Sequence, residues 1–475
     1  MNNRKKLKVL FIIQPDTKRI WAAVAEKLDS GREFRATLGL LCVAAMIKDF
    51  KDVECQLIDC SASDFGYPEL HEAIKNYNPD LVCMSALTFS ILDVRKSAQV
   101  AKEACPNTKV CLGGVHINLF PEETLKLKEV DYIVHGEGEI PFKELVCALK
   151  DGDTESIKSI QGVGSKVGSE TILNDPGEII REMDSFPIPA YDLLDLSKYS
   201  HVLSQGRRSM SIQTSRGCPY ACTFCDIRKT AFRFKSPEKV VEEITYLMKT
   251  GNTDFFIVDD TISVHKNRLN DICKLIIKKG IKITFKISAR VDNLDSESLK
   301  LLKEAGCNRI NFGVESGSQR LLDYLEKDVT LEQIKETFRL TREAGIQTFA
   351  YLIIGIPTET VSEMKKSVKF VADIRADYFN ISICTPYPKT ALTDNMIADN
   401  LLPHNYWQSF AEDPQENFQV QFWNNTFEDN ELRGLQQNLM KSFYKRPTYL
   451  FRELCKIRSG SEFLRKAKVG LRILR

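Results

Sequence analysis

The 475-residue sequence has no stretch approaching the roughly 18 uninterrupted apolar residues that a membrane-spanning helix needs, and Met1 to Lys8 runs into a strand-like segment without an export-signal core. A cytosolic chain is expected. Net charge is nearly absent: 66 Lys+Arg against 64 Asp+Glu leave +2, too little for wholesale neutralisation of phosphates on a nucleic acid. No nucleic-acid partner is expected. Internal repeats and low-complexity runs are missing, and 43% hydrophobic with 27% charged residues is a globular balance that excludes disordered and fibrous classes. The length suits about three domains. Histidine is scarce, and none precedes His71. Cysteine is not scarce: fourteen thiols in a chain expected to be cytosolic should be reduced, so a cluster of them reads as ligands before disulfides.

The first third alternates short apolar runs with amphipathic stretches. Lys8–Ile13, Val53–Ile58, Leu81–Ser85, Lys109–Gly113 and Tyr132–Val134 read as buried strands, with helices between them. This pattern predicts a Rossmann-like, doubly wound α/β domain over residues 8–150, with its ligand crevice at the carboxyl ends of the strands. Residues 151–205, punctuated by Pro176, Pro187 and Pro189, read as a linker. A second α/β series covers 206–427. Six candidate strands, Met210–Thr214, Phe255–Val258, Ile283–Ile287, Arg309–Phe312, Phe349–Ile354 and Phe379–Ile383, are two short of a closed eight-stranded barrel. An open, partial (β/α)6 TIM-type barrel is expected, followed by a basic helical tail over 428–475. Within that tail, Lys441 to Arg475 hold eleven Lys+Arg against two Glu, a net of +9.

Immediately after the first strand of the second series comes Ser215-Arg216-Gly217-Cys218-Pro219-Tyr220-Ala221-Cys222-Thr223-Phe224-Cys225. Thiolates select zinc or iron–sulfur clusters. Structural zinc wants a closed set of four ligands, whereas Cys218, Cys222 and Cys225 leave one metal position open for a substrate or cofactor.

This spacing, with an aromatic residue before the last cysteine, resembles the radical S-adenosylmethionine (radical SAM) enzymes over about Gly206 to Phe427. The resemblance implies a [4Fe-4S] cluster on the three cysteines, whose fourth iron chelates SAM and whose electron cleaves it to a 5′-deoxyadenosyl radical. It further implies SAM contacts at the strand ends. Asp259 and Asp260 end the second strand, near the SAM amine, and Arg290 ends the third, where its guanidinium could fork onto the SAM carboxylate. Glu315 ends the fourth, and Gly355-Ile356-Pro357-Thr358-Glu359 follows the fifth, near ribose and adenine. Lys389, in Pro386-Tyr387-Pro388-Lys389-Thr390, departs from relatives that usually carry glycine there.

In the first domain, Ser85-Ala86-Leu87 and Gly113-Gly114 after successive strands resemble the second and third signatures of cobalamin-binding domains. There a serine loop and a bare diglycine let backbone approach the nucleotide tail. Ser85, Leu87, Gly113 and Gly114 are thus implied cobalamin contacts. The first signature, Asp-x-His-x-x-Gly, is absent, because Asp16 is followed by Thr17 and Lys18. No histidine of that loop can be a lower cobalt ligand, and His116 and His135 read as structural.

Together these resemblances imply a cobalamin-dependent radical SAM methylase acting on an unactivated carbon of a small or lipid-like metabolite. A low-potential electron donor such as flavodoxin or ferredoxin is its expected partner. Two rivals remain: an anaerobic oxidative cyclase that transfers no methyl group, and a non-catalytic cobalamin or redox sensor. Finally, Leu450, Leu454 and Ile457 fall on one helical face while Arg452, Lys456 and Arg458 supply charge, so peripheral contact with the inner face of an anionic membrane is expected.

Overall fold

The computed structural model describes residues 6–20, 37–167, 170–199, 208–422 and 426–455. It divides into two compact units, and among the described residues no helix is long and apolar enough to cross a membrane.

The first unit draws on residues up to Ile20, Phe34–Tyr199 and His404–Gln419. Its sheet contains β1 (Leu7–Ile13), β2 (Val53–Asp59), β3 (Leu81–Ser85), β4 (Lys109–Gly113), β5 (Tyr132–Val134), β6 (Val163–Val167) and β7 (Glu170–Leu173), in the order β2-β1-β3-β4-β5-β6-β7. The first five are parallel and the last two antiparallel. Val9, Leu10, Phe11 and Ile12 are all buried, because helices cover both faces of a parallel sheet and a period-two polar face would be wasted there. The strand order changes direction between β1 and β3, one path running out to β2 and the other to β3, β4 and β5, which makes the carboxyl ends of those two strands the switch-point crevice. β6 and β7 fall within the stretch read as linker from the sequence; three or four backbone pairs are enough to add an edge strand where periodicity is weak.

The second unit contains β8 (Ser209–Ile212), a two-stranded ribbon of β9 (Ser215–Arg216) with β10 (Arg233–Phe234), then β11 (Asp254–Ile257), β12 (Thr284–Ala289), β13 (Cys307–Glu315), β14 (Gln347–Ile354) and β15 (Tyr378–Ile383). The six main strands pair in parallel and in sequence order, β8-β11-β12-β13-β14-β15. Local signals start the intervening helices: Thr330 with Gln333 and Thr360 with Glu363 form capping boxes. β14 alternates, with Thr348, Ala350, Leu352 and Ile354 buried and Tyr351 exposed, so one face of this strand packs while the other is left accessible. The helix Asp429–Tyr444 closes on β15, where Gln436 donates to the Ile381 carbonyl and the Tyr444 hydroxyl to that of Phe379.

His404–Gln419 belongs to the first unit although its sequence position follows the second sheet. Its helix, Tyr406–Glu412, carries Trp407 into a ring cluster with Phe89, Phe410 and Phe418. Of the residues expected to make the amphipathic tail helix, Ile457 of the apolar face and Lys456 and Arg458 of the charged one lie outside the described residues.

Candidate functional site

The cysteine segment is the loop of the β9–β10 ribbon, residues 217–232, and its base is clamped by charge. Asp259, buried at the end of β11, accepts from the Thr214 amide at 2.6 Å, the Thr214 hydroxyl at 2.5 Å and the Ser215 hydroxyl at 2.6 Å. Asp260 accepts from the Gly217 amide at 3.0 Å. Arg268, also buried, donates to the carbonyls of Thr214 (2.8 Å) and Lys235 (2.7 Å), gripping both sides of the ribbon. Gly217 sits at φ +85°, and a Cβ there would lie 2.2 Å from the Ala231 carbonyl oxygen, so the turn into Cys218 tolerates only glycine. Thr230 closes the loop, its hydroxyl accepting from the Cys218 amide while its own amide donates to the Cys218 carbonyl.

Two cations flank Cys222. Arg290 approaches its sulfur at 3.9 Å, is held bidentately by Asp292 at 2.9 Å, donates to the Lys327 carbonyl, and stacks 3.8 Å from the centroid of the Tyr220 ring. Lys327 forms a buried ion pair with Glu315 at 2.7 Å. Burial opposes its charge, but Glu315 and the Cys222 sulfur more than offset this and raise its pKa. Glu315 itself adopts φ +58° at a register shift between β13 and β14, which takes its side chain out of the regular strand alternation.

Burial raises the Cys225 thiol to about 12 and also lifts that of Cys218, so a metal loaded there would have to expel protons from both. Among the described residues no three His, Cys, Asp or Glu side chains converge on a single ion.

In the first unit, Ser85 pairs with Gly113 across β3 and β4. Gly114 has φ +100°, and a Cβ there would lie 2.6 Å from Ser85 Oγ and 2.9 Å from the Ala86 carbonyl, so the protein's own loop demands this glycine. At Gly113 the one heavy atom among the described residues near a Cβ would be the Val134 carbonyl oxygen at 3.5 Å, an ordinary contact that does not by itself require glycine. Leu87 (54%) and Val115 (40%), each two residues beyond the end of β3 or β4, are exposed, as is Ile140 (38%) in the first turn of the helix that follows β5. The loop after β1 is fixed by buried Asp93, which accepts from Thr17 and Lys18 amides and from the Thr17 and Tyr67 hydroxyls. His116 is wholly buried beside Thr88 and Phe120, and desolvation lowers its pKa to about 4. His135 donates from Nε2 to the Asn174 carbonyl at 2.9 Å.

Residues 212–371 match the radical SAM superfamily, and residues 34–146 match the B12 binding domain. An uncharacterized methyltransferase of Pyrococcus horikoshii is 32% identical over 456 residues, 95% of each chain. The chain belongs to the radical SAM superfamily. Another similar protein is the anaerobic magnesium-protoporphyrin IX monomethyl ester cyclase of Rubrivivax gelatinosus, 30% identical over 339 residues, 70% of this chain and 61% of the cyclase. The fold also resembles that of the radical S-adenosylmethionine methyltransferase TsrM from Kitasatospora setae, solved with cobalamin and a [4Fe-4S] cluster bound. The TM-score is 0.72 at 18% identity, covering 94% of this chain and 90% of that one.

This radical SAM enzyme uses a [4Fe-4S] cluster, SAM and cobalamin, and its residues fit them. Three cysteines, with two buried cations beside Cys222, suit an anionic cluster. An open Gly113, with exposed Leu87 and Val115 on the loops of adjacent strands, suits close approach of a nucleotide tail. Sequence reasoning missed Lys327, Arg268, Tyr220 and Asp93. Lys327 sits in Glu326-Lys327-Asp328, which reads as an ordinary charged turn, so no local signal marked it.

Proposed function

We propose that this cobalamin-dependent radical SAM enzyme transfers a methyl group to an unactivated carbon of a small or lipid-like metabolite. Support comes from the coexistence on one chain of the clamped cysteine ribbon and the glycine-floored crevice. The methyltransferase relative that spans 95% of the chain points the same way. When bound, the cluster and SAM supply a 5′-deoxyadenosyl radical, and methylcobalamin supplies the methyl group.

The chain's own contribution is positioning and exclusion of water. On this reading Cys218, Cys222 and Cys225 hold three irons of the cluster. Arg290 and Lys327 offset the negative charge gathered beside Cys222. Arg290, Glu315 and Asp260 wall the SAM site, and Asp259 acts through the ribbon it holds. Ser85, Leu87, Gly113 and Gly114 receive the cobalamin tail. Residues 8–150 then form the cobalamin domain, and 206–427 a partial barrel whose strand ends face the chemistry. A reduced flavodoxin or ferredoxin delivers the electron.

The test is product analysis after anaerobic reconstitution, with methyl-labelled SAM and candidate substrates. Equimolar 5′-deoxyadenosine and S-adenosylhomocysteine with label in the product are expected. The similarity to magnesium-protoporphyrin cyclases favours one second reading, oxidative cyclisation. Product that gains oxygen or unsaturation, with no label and no S-adenosylhomocysteine, decides for it.

A further inference from the structure

The last described helix, Pro447–Cys455, is inverted relative to a helix that merely covers a sheet. Its inward contacts are made by polar and aromatic groups. Arg452 donates to the carbonyls of Arg375 (3.2 Å) and Ala376 (2.8 Å), and Tyr449 packs against Phe443 and Tyr444 with ring centroids 5.4 and 5.2 Å apart. Arg452 is therefore turned away from the charged outer face the sequence suggested. The outer face is apolar: Leu450 is 46% exposed, Phe451 71% and Leu454 56%. Positions 450, 451 and 454 are neighbours on one side of a helix, so these three side chains form a single patch.

Large apolar side chains grouped on a surface mark a site of interaction, whereas scattered ones do not. Here the surrounding sequence identifies the partner. The segment Lys441 to Arg475 carries eleven Lys and Arg against two Glu, a net of +9. An apolar helix face embedded in a strongly basic segment is the composition of an interfacial helix. A second copy of this chain would carry an equally basic segment and be repelled, whereas anionic headgroups are attracted.

We propose that the Pro447–Cys455 helix docks this chain on an anionic lipid surface, with Leu450, Phe451 and Leu454 entering the headgroup–acyl boundary. The inference stands apart from the reading of the reaction, since none of these residues lies in the cofactor sites described above.

The experiment is co-sedimentation of the full chain with sucrose-loaded vesicles of phosphatidylcholine, with and without phosphatidylserine. It compares the natural chain with a Phe451→Asp/Leu454→Asp variant, whose unchanged thermal melting certifies its fold. We expect binding to the phosphatidylserine vesicles that weakens with added salt and falls roughly tenfold or more in the variant. SAM cleavage by the variant should be unchanged. Failure of the natural chain to bind, or equal binding by the variant, overturns the proposal. So does a lipid-independent dimer that the variant dissolves, which would assign the face to a second copy.

Discussion

Replacing Asp259 separates two roles that its position at the end of β11 leaves open, contact with the SAM amine and support of the cysteine ribbon. Its carboxylate accepts three hydrogen bonds at 2.5 to 2.6 Å from Thr214 and Ser215. Bonds to a charged acceptor each contribute about 1.5 kcal/mol or more, and Asp259→Ala would leave a buried amide and two hydroxyls without it, a loss on the order of 4 kcal/mol. At about 1.4 kcal/mol per decade this is roughly a thousandfold in the population of the closed ribbon. Asp259→Asn should be far milder. Its Oδ1 can still accept from the Thr214 amide, and the two hydroxyls can rotate to accept from its new amide group. Iron content after anaerobic reconstitution, measured beside the KM for SAM, reads both outcomes. We expect the Ala variant to lose its cluster and the Asn variant to keep the cluster with a nearly unchanged KM. An Asn variant with full iron but a KM for SAM raised tenfold or more would refute the clamp and return Asp259 to the SAM amine.

Gly114→Val would drive a branched side chain into Ser85 and Ala86 at an unfavourable φ, and should weaken cobalamin retention by well over tenfold, more than about 1.4 kcal/mol; unaltered retention on ultrafiltration would contradict the crevice geometry. His116 should make the first unit acid-sensitive. Its folded pKa of about 4 lies below the ordinary 6.5, so its contribution is present above 6.5 and lost as pH falls towards 4. The total is about 3 kcal/mol, and His116→Gln should flatten that part of a stability–pH curve. Trp407→Ala removes the ring packed 6.2 Å from Phe89 and should cost about 3 kcal/mol locally. Amide exchange at Thr88–Ser90 should accelerate by about two decades; unchanged exchange would show that the segment does not support this loop.

The cysteine spacing, the Gly113-Gly114 pair and both strand series were legible in the sequence because each is a local signal. The spacing marks three candidate ligands, and buried parallel strands such as Lys8–Ile13 and Phe349–Ile354 declare themselves as apolar runs between turn residues. What only the tertiary structure decided is which partner each polar group takes. Asp259 and Asp260 are adjacent and chemically alike, yet one is spent on Thr214 and Ser215 and the other on Gly217. Arg290 meets Tyr220 and Cys222 from some seventy positions away. Gly114 is required by Ser85 rather than by its neighbours in the chain. Membership of His404–Gln419 in the first unit likewise rests on ring contacts with Phe89, over three hundred residues earlier. Ion pairs and ring packing depend on strand register and chain crossing, and neither leaves a periodic trace in the sequence.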